Sequence, residues 1–113
     1  MHSNKENFLN FLGIGKKAAY IKEGYNKVEA EIMKKNIVAV FISPSLSENS
    51  TKKFINYCEK YNITWLQDDI VYDMGKALNN TNLMVLGICD KKYCERLVAL
   101  YNKYIEAKKA GGE

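Results

Sequence analysis

One run of six residues, Ile37-Val38-Ala39-Val40-Phe41-Ile42, constrains the fold of this chain more than any other feature. It is β-branched and aromatic, without a polar position, and far too short to span a bilayer. A half-exposed strand alternates apolar and polar side chains, whereas a strand apolar at every position is covered on both faces. The chain must therefore supply a layer for each face. With 113 residues it has room for one domain in which to do so.

The flanking segments supply those layers as helices. Asn4 to Lys17 reads as a first helix, with Phe8, Phe11, Leu12 and Gly15 on one face, and Gly13 and Gly15 weakening its second half. A short extended piece, Tyr20 to Glu23, precedes Gly24, which opens a second helix over about Tyr25 to Lys35 with Val28 and Ile32 inward. After the central strand, Ser43-Pro44-Ser45 stops the sheet, and Ser45 or Ser47 caps a third helix to about Tyr61, with Ser45-x-x-Glu48 fitting a capping box. Asn62 breaks that helix and Thr64-Trp65-Leu66 is a short strand. Ile70 to Leu78 is a fourth helix, Asn79 to Asn82 a polar turn, and Leu83 to Ile88 a strand. Asp90 caps a last helix to about Lys108, with Tyr93, Leu97, Leu100 and Tyr104 as its inner stripe. The alternation predicts a single domain over 4–108 with a disordered tail at 109–113, built as a three-layer α/β/α sandwich around a small mixed sheet of about four strands.

Several functions find no support. The polar start, Met1-His2-Ser3-Asn4-Lys5-Glu6, lacks the layout of a signal peptide, so a cytoplasmic location is expected. Cys58, Cys89 and Cys94 have neither disulfide nor zinc spacing and read as free thiols packed like small hydrophobes. The one histidine, His2, sits in a terminus expected to be mobile, with no partners from which a catalytic triad could be built. Asp68, Asp69 and Asp73 read as an exposed acidic loop, not a metal site, and Gly13-x-Gly15 lacks the context of a phosphate loop. No enzyme and no cofactor is expected.

Charge points elsewhere. The chain carries a formal +4 and an isoelectric point near 8.9. Between Lys16 and Lys35 stand six lysines against three glutamates, a local +3. Lys16, Lys17, Lys22 and Lys27 surround Gly24 and Asn26 at the expected start of the second helix, where free N–H groups and the helix dipole favour phosphate. Asn26 offers a donor and an acceptor to a base edge. Lys76, with the apolar pair Leu83 and Met84, could add a surface for an unstacked base, although Leu83 and Met84 also read simply as the start of a strand. A solvated lysine face is the ordinary alternative.

The landmarks Leu12-Gly13-Ile14-Gly15-Lys16-Lys17-Ala18, then Ile21, Gly24 and Val28, resemble the opening of the bacterial YlxQ-type proteins of the ribosomal protein L-seven-Ae superfamily. Ser47-Glu48-Asn49-Ser50-Thr51-Lys52-Lys53, with Cys58 and Tyr61-Asn62-Ile63, and then Met74-Gly75-Lys76-Ala77-Leu78, extend the likeness over roughly Phe8 to Leu100. The resemblance implies the same sandwich and binding to kink-turn RNA, as a ribosomal or ribosome-associated protein. RNA binders of the family carry glycine-x-asparagine-glutamate at the start of the second helix and a lysine three residues after the glutamate. Gly24 and Asn26 match; Lys27 stands at the glutamate position and Ala30 at the lysine position. Lys27 keeps attraction for phosphate but cannot accept a base amino proton. The expected function is non-catalytic binding of structured RNA. The alternative is a protein-interaction module that keeps the fold and has lost kink-turn selectivity.

Overall fold

The computed structural model describes residues 3–112; His2 and the end of the expected tail, Glu113, lie outside the described residues. Helix α1 (Asn4–Lys17) begins at Ser3, whose hydroxyl accepts the Glu6 N–H at 3.1 Å. There follow β1 (Ile21–Glu23), α2 (Tyr25–Met33), β2 (Ala39–Ile42), α3 (Glu48–Lys60), β3 (Thr64–Gln67), α4 (Ile70–Ala77), β4 (Val85–Ile88) and α5 (Lys91–Lys109).

The four strands form one mixed sheet in the order β1-β4-β2-β3. β4 pairs antiparallel with β1, Ile21 opposite Ile88, and with β2, Ile42 opposite Val85; β3 runs parallel to β2. All four residues of β2 are buried, as expected of a strand with no polar position. Phe41, Leu86 and Ile88 face a cluster with Phe8 and Leu12 of α1, Ile70 and Met74 of α4, and Leu97 of α5. Val40, Ile42 and Val85 face Val28 and Ile32 of α2 and Phe54 and Cys58 of α3. This is the three-layer sandwich that the alternation of segments predicts. Each large apolar side chain so buried contributes roughly 1.5–3 kcal/mol.

Several boundaries differ from the sequence reading. α2 stops at Met33 because Lys35 takes a left-handed φ of 61°. Ser45 does not build a capping box: its N–H donates to the Ser43 hydroxyl at 3.1 Å, and Ser47 is the cap, accepting from Ser50 N–H at 3.2 Å. β4 begins at Val85, because Leu83 N–H closes a turn onto the Asn80 carbonyl at 3.2 Å and does not join the ladder. Helix α5 runs to Lys109, and the expected tail begins as its closing turn: Gly111 N–H donates to Lys108 O at 3.1 Å and Gly112 N–H to Ala107 O at 2.7 Å. The acidic trio is more engaged than expected. Asp68 accepts from the Tyr101 hydroxyl at 2.5 Å, Asp73 pairs with Lys5 at 3.0 Å, and Asp69 alone is exposed. Cys58 is buried, which raises its thiol pKa to about 11, and Cys94 is half-buried and raised by the same cause.

Gly15 does not weaken α1. A Cβ at Gly15 would run into the ring of Tyr93, whose hydroxyl donates to the Phe11 carbonyl at 2.8 Å. The absent side chain lets α1 and α5 close on each other, with Phe11 stacked on Tyr93 at 4.6 Å. Gly13 faces open space. Gly15→Ala should therefore destabilise the protein by about 1–3 kcal/mol through overpacking. Gly13→Ala should stabilise it by about 0.5–1 kcal/mol through helix propensity. Urea denaturation of both variants checks this; stabilisation by both would remove Tyr93 as the constraint on α1.

Candidate nucleic-acid interface

Strand directions gather the loops. β1 and β2 both run against β4, and β3 runs with β2, so three strands end on the side of the sheet where β4 begins. Each of the three feeds a helix: α2, α3 and α4 all start at that end. Backbone bonds tie the junctions together: Gly24 N–H to Val85 O at 2.9 Å, Ser43 N–H to Met84 O at 2.8 Å, and Asp68 N–H to Ile42 O at 3.1 Å. Three helix N-termini on one side make that side favourable for negative charge.

The mouth of α2 is the most open of them. Gly24 is its N-cap with φ 96° and no side-chain cap. That φ is one L side chains rarely adopt, and a Cβ there would meet nothing within 4 Å, so the backbone angle alone selects glycine. Asn26 and Lys27 project from the first turn and are exposed. Lys27 Nζ lies 3.8 Å from Glu31, one turn further on. Glu31 is itself buried, and its carboxyl is held below the usual range by the Asn36 amide at 3.3 Å and then by Lys27, Lys34 and Lys22, against the opposing effect of burial.

Two braces hold this mouth. On one side Lys16 Nζ donates to the Leu78 carbonyl at 3.1 Å and pairs with Glu23 at 3.3 Å, while Asn80 Nδ2 donates to the other oxygen of Glu23 at 3.1 Å. Glu23 thus fastens the end of α1 and the turn before β4 next to Gly24. On the other side Lys53 of α3 pairs with Glu29 of α2 at 2.7 Å, and the Tyr57 hydroxyl donates to the same oxygen at 2.8 Å. Lys53 also lies 5.5 Å from the centre of the Tyr25 ring, which meets Phe54 edge-on. This clasp fixes the first turn of α2.

The residues expected from sequence divide accordingly. Gly24, Asn26, Lys27 and Met84 share the mouth, Met84 being exposed one residue before the carbonyl that Gly24 bonds. Lys16 is beside them, but its charge is spent on Glu23 and Leu78. Lys76 is exposed in the last turn of α4, 5.4 Å from the centre of the exposed Tyr72 ring. Lys17 stands exposed at the end of α1. Lys22 lies elsewhere, opposite Gly87 on the α2 face, where it lines a hollow of about 360 Å³ with Glu31, Lys35 and Asn36. Leu83 corrects an expectation: it is 4% exposed, packed in the core, and has no face for a base. Sequence reasoning missed Glu23, Asn80 and Tyr72. Among the described residues no group of three or more His, Cys, Asp or Glu is placed to hold a metal, and no helix is long and apolar enough to cross a membrane.

Residues 8–98 match the ribosomal protein L7Ae/L30e/S12e/Gadd45 family. Among solved structures, a protein of unknown function from Bacillus halodurans C superposes with a TM-score of 0.75 at 22% identity, over 84% of this chain and 96% of that one. The Giardia lamblia 15.5kD RNA binding protein superposes with a TM-score of 0.65 at 14% identity, over 96% of this chain and 92% of that one. Both likenesses are of fold. No curated protein sequence matches the chain.

The clasp gives a pH signature. Lys53, and then Tyr57, hold the Glu29 carboxyl below its ordinary value of 4.5. A depressed carboxyl contributes stability that is present above its unfolded pKa and lost as pH falls through the folded one. Glu29→Gln should therefore lower the urea midpoint at pH 7, and the gap to wild type should close as pH falls below about 4.5. A gap independent of pH would exclude the ion pair as its source.

Proposed function

The chain belongs to the ribosomal protein L7Ae/L30e/S12e/Gadd45 family, and from that premise we propose that it is a non-catalytic, cytoplasmic RNA-binding protein that grips a kink-turn-like RNA at the mouth of α2. The observation that carries this reading is the uncapped start of α2 at Gly24, left open to solvent with Asn26 and Lys27 projecting from it. Free backbone N–H groups there suit a phosphate, and Asn26 suits a base edge. Met84 offers an exposed apolar side chain beside them for an unstacked base. Lys27, Lys17 and Lys76 supply charge at the margins. A fold neighbour that is itself an RNA-binding protein agrees with this reading. Its finer parts, a place among the YlxQ-type members and an association with the ribosome, belong to the same proposal.

A second reading is favoured by one observation. Lys16 and Lys27 are already partnered by Glu23 and Glu31, which fits a surface selected to dock a protein. Salt separates the two readings. Binding through phosphates weakens with salt by roughly 0.7–0.9 in log–log slope per contact, whereas docking on a neutralised surface is nearly indifferent to salt.

Gel-shift titration of a kink-turn against an unkinked duplex of equal length tests the proposal. Wild type should prefer the kink-turn. Asn26→Ala should cost about 1–3 kcal/mol on the kink-turn and little on the duplex. Equal losses on both RNAs would show that Asn26 does not read bases, and no preference by wild type would overturn the kink-turn reading.

A further inference from the structure

The lysine-dense stretch of residues 16–35 is not the only strongly basic segment of this chain. Helix α5 carries Lys91, Lys92, Arg96, Lys103, Lys108 and Lys109 against Glu95 and Glu106 alone, a net +4. That equals the formal charge of the whole chain; the other eleven cations are matched by eleven carboxylates. Pairing sharpens the contrast. Among the described residues Lys5, Lys16, Lys27, Lys34, Lys52 and Lys53 each have a carboxylate within 4 Å, and no cation of α5 does. The local +3 of residues 16–35 already counts its three glutamates and rests on Lys17, Lys22 and Lys35, whereas Lys16, Lys27 and Lys34 are answered by Glu23 and Glu31; the α5 cations have no such ion pairs among the described residues.

The α5 cations are also ordered. Lys92, Arg96 and Lys103 are exposed and fall on one helical stripe, separated by four and seven residues. At 1.5 Å per residue they stand about 6 and 10 Å apart along the axis. Spaced so, the three side chains can reach separate phosphates of one backbone. Arg96 is held in place, its guanidinium 5.3 Å from the centre of the Phe11 ring, which stacks on Tyr93. A stacked guanidinium loses less freedom when it meets a phosphate. α5 packs against α1 on the face of the sheet opposite α2 and α3, so this stripe is a second surface and not the rim of the α2 mouth.

We propose that the Lys92-Arg96-Lys103 stripe of α5 binds the phosphodiester backbone of an RNA duplex arm, supplying sequence-independent affinity while the α2 mouth supplies selectivity. The inference rests on the RNA-binding reading above and adds a second contact to it. Backbone contacts of this kind position a nucleic acid and set the salt dependence of binding without reading bases.

Two variants that remove the same charge from different places test it. Lys92→Gln with Lys103→Gln removes two unpaired cations of the stripe. Lys34→Gln with Lys52→Gln removes two lysines that carboxylates already neutralise. All four positions are exposed, so thermal melts near that of wild type are expected for both. On the kink-turn RNA, the α5 double variant should lower the magnitude of the log–log salt slope by about 2 and weaken binding about tenfold or more at 0.15 M salt. It should keep the preference for kink-turn over duplex. The α2–α3 double variant should change the slope by much less. Equal slope changes in the two doubles would overturn the proposal, because net charge alone would then govern binding. An unchanged slope in the α5 double would overturn it too, even where wild type binds RNA tightly. Failure of the α2 mouth looks different: kink-turn preference would be absent while the α5 slope effect remained. If wild type bound no RNA, both readings would fall together.

Discussion

Strand β4 is hydrogen-bonded on both edges by strands that run against it, and the rest of the molecule depends on that arrangement. Because β1 and β2 both oppose β4, they end at the same side of the sheet. β3 adds parallel to β2 and ends there too. Helices that follow strands must begin where the strands end, so α2, α3 and α4 bring their N-termini together. The antiparallel partner does the reverse: β4 starts on that side and carries α5 to begin at the other. One pairing pattern therefore builds both a side where three helices start, that of α2 uncapped, and a long helix whose first turn is far from it. The apolar character of β2 supports this pattern, since a strand buried on both faces needs partners on each edge and a helical layer on each face.

That geometry sorts the charge. The α2–α3 layer is laced by ion pairs, Glu29 serving Lys53, Glu31 serving Lys27 and Lys34, and Glu48 serving Lys52. Exposed pairs of this kind contribute little stability each. Their larger effect is to flatten the field of that layer and hold its side chains in place. Helix α5 has aromatic contacts in their stead where it meets α1, Phe11 on Tyr93 and Arg96 on Phe11, and leaves Lys92, Arg96 and Lys103 exposed. Helix α5 thus carries a net charge equal to that of the whole chain, with none of its cations in an ion pair among the described residues.

Much of the architecture could be read from the sequence because it rests on local signals. Apolar runs marked β2 and β4, helical spacing marked the inner faces of α1 and α5, and Asp90 marked the start of α5, where its carboxylate accepts the Tyr93 N–H at 2.9 Å. Asn62 ends α3 with a φ of 57°, as a residue tolerant of left-handed backbone can. The site was less legible because it rests on partners distant in sequence. Leu83 and Met84 look alike as neighbours in an apolar pair. Only the turn that brings Asn80 N–H to the Gly75 carbonyl at 2.7 Å decides that Leu83 enters the core and Met84 faces out. Lys16 looked like a phosphate ligand because a count of charges does not show that Glu23 and the Leu78 carbonyl will claim it. Gly15 looked like a helix defect because the ring of Tyr93, which needs its space, comes from the far end of the chain.

The exchange of glutamate for lysine at the mouth of α2 bears on how affinity and selectivity divide under the proposed reading. A carboxylate at position 27 would accept hydrogen bonds from base amino groups; the ammonium of Lys27 can only donate. It lies instead 3.8 Å from Glu31, where part of its charge is already answered. Base reading then falls to Asn26, with apolar contact from Met84, and two side chains reading bases give modest discrimination. A protein so placed gains from a second, unselective contact that raises affinity without competing for the same bases. Unpaired cations on α5 meet that need on a surface separate from the mouth. On that reading the glutamates beside the mouth belong to the division too: Glu23 and Glu31 answer Lys16 and Lys27, which would lessen indiscriminate attraction for polyanions there and keep the selective surface distinct from the stripe on α5.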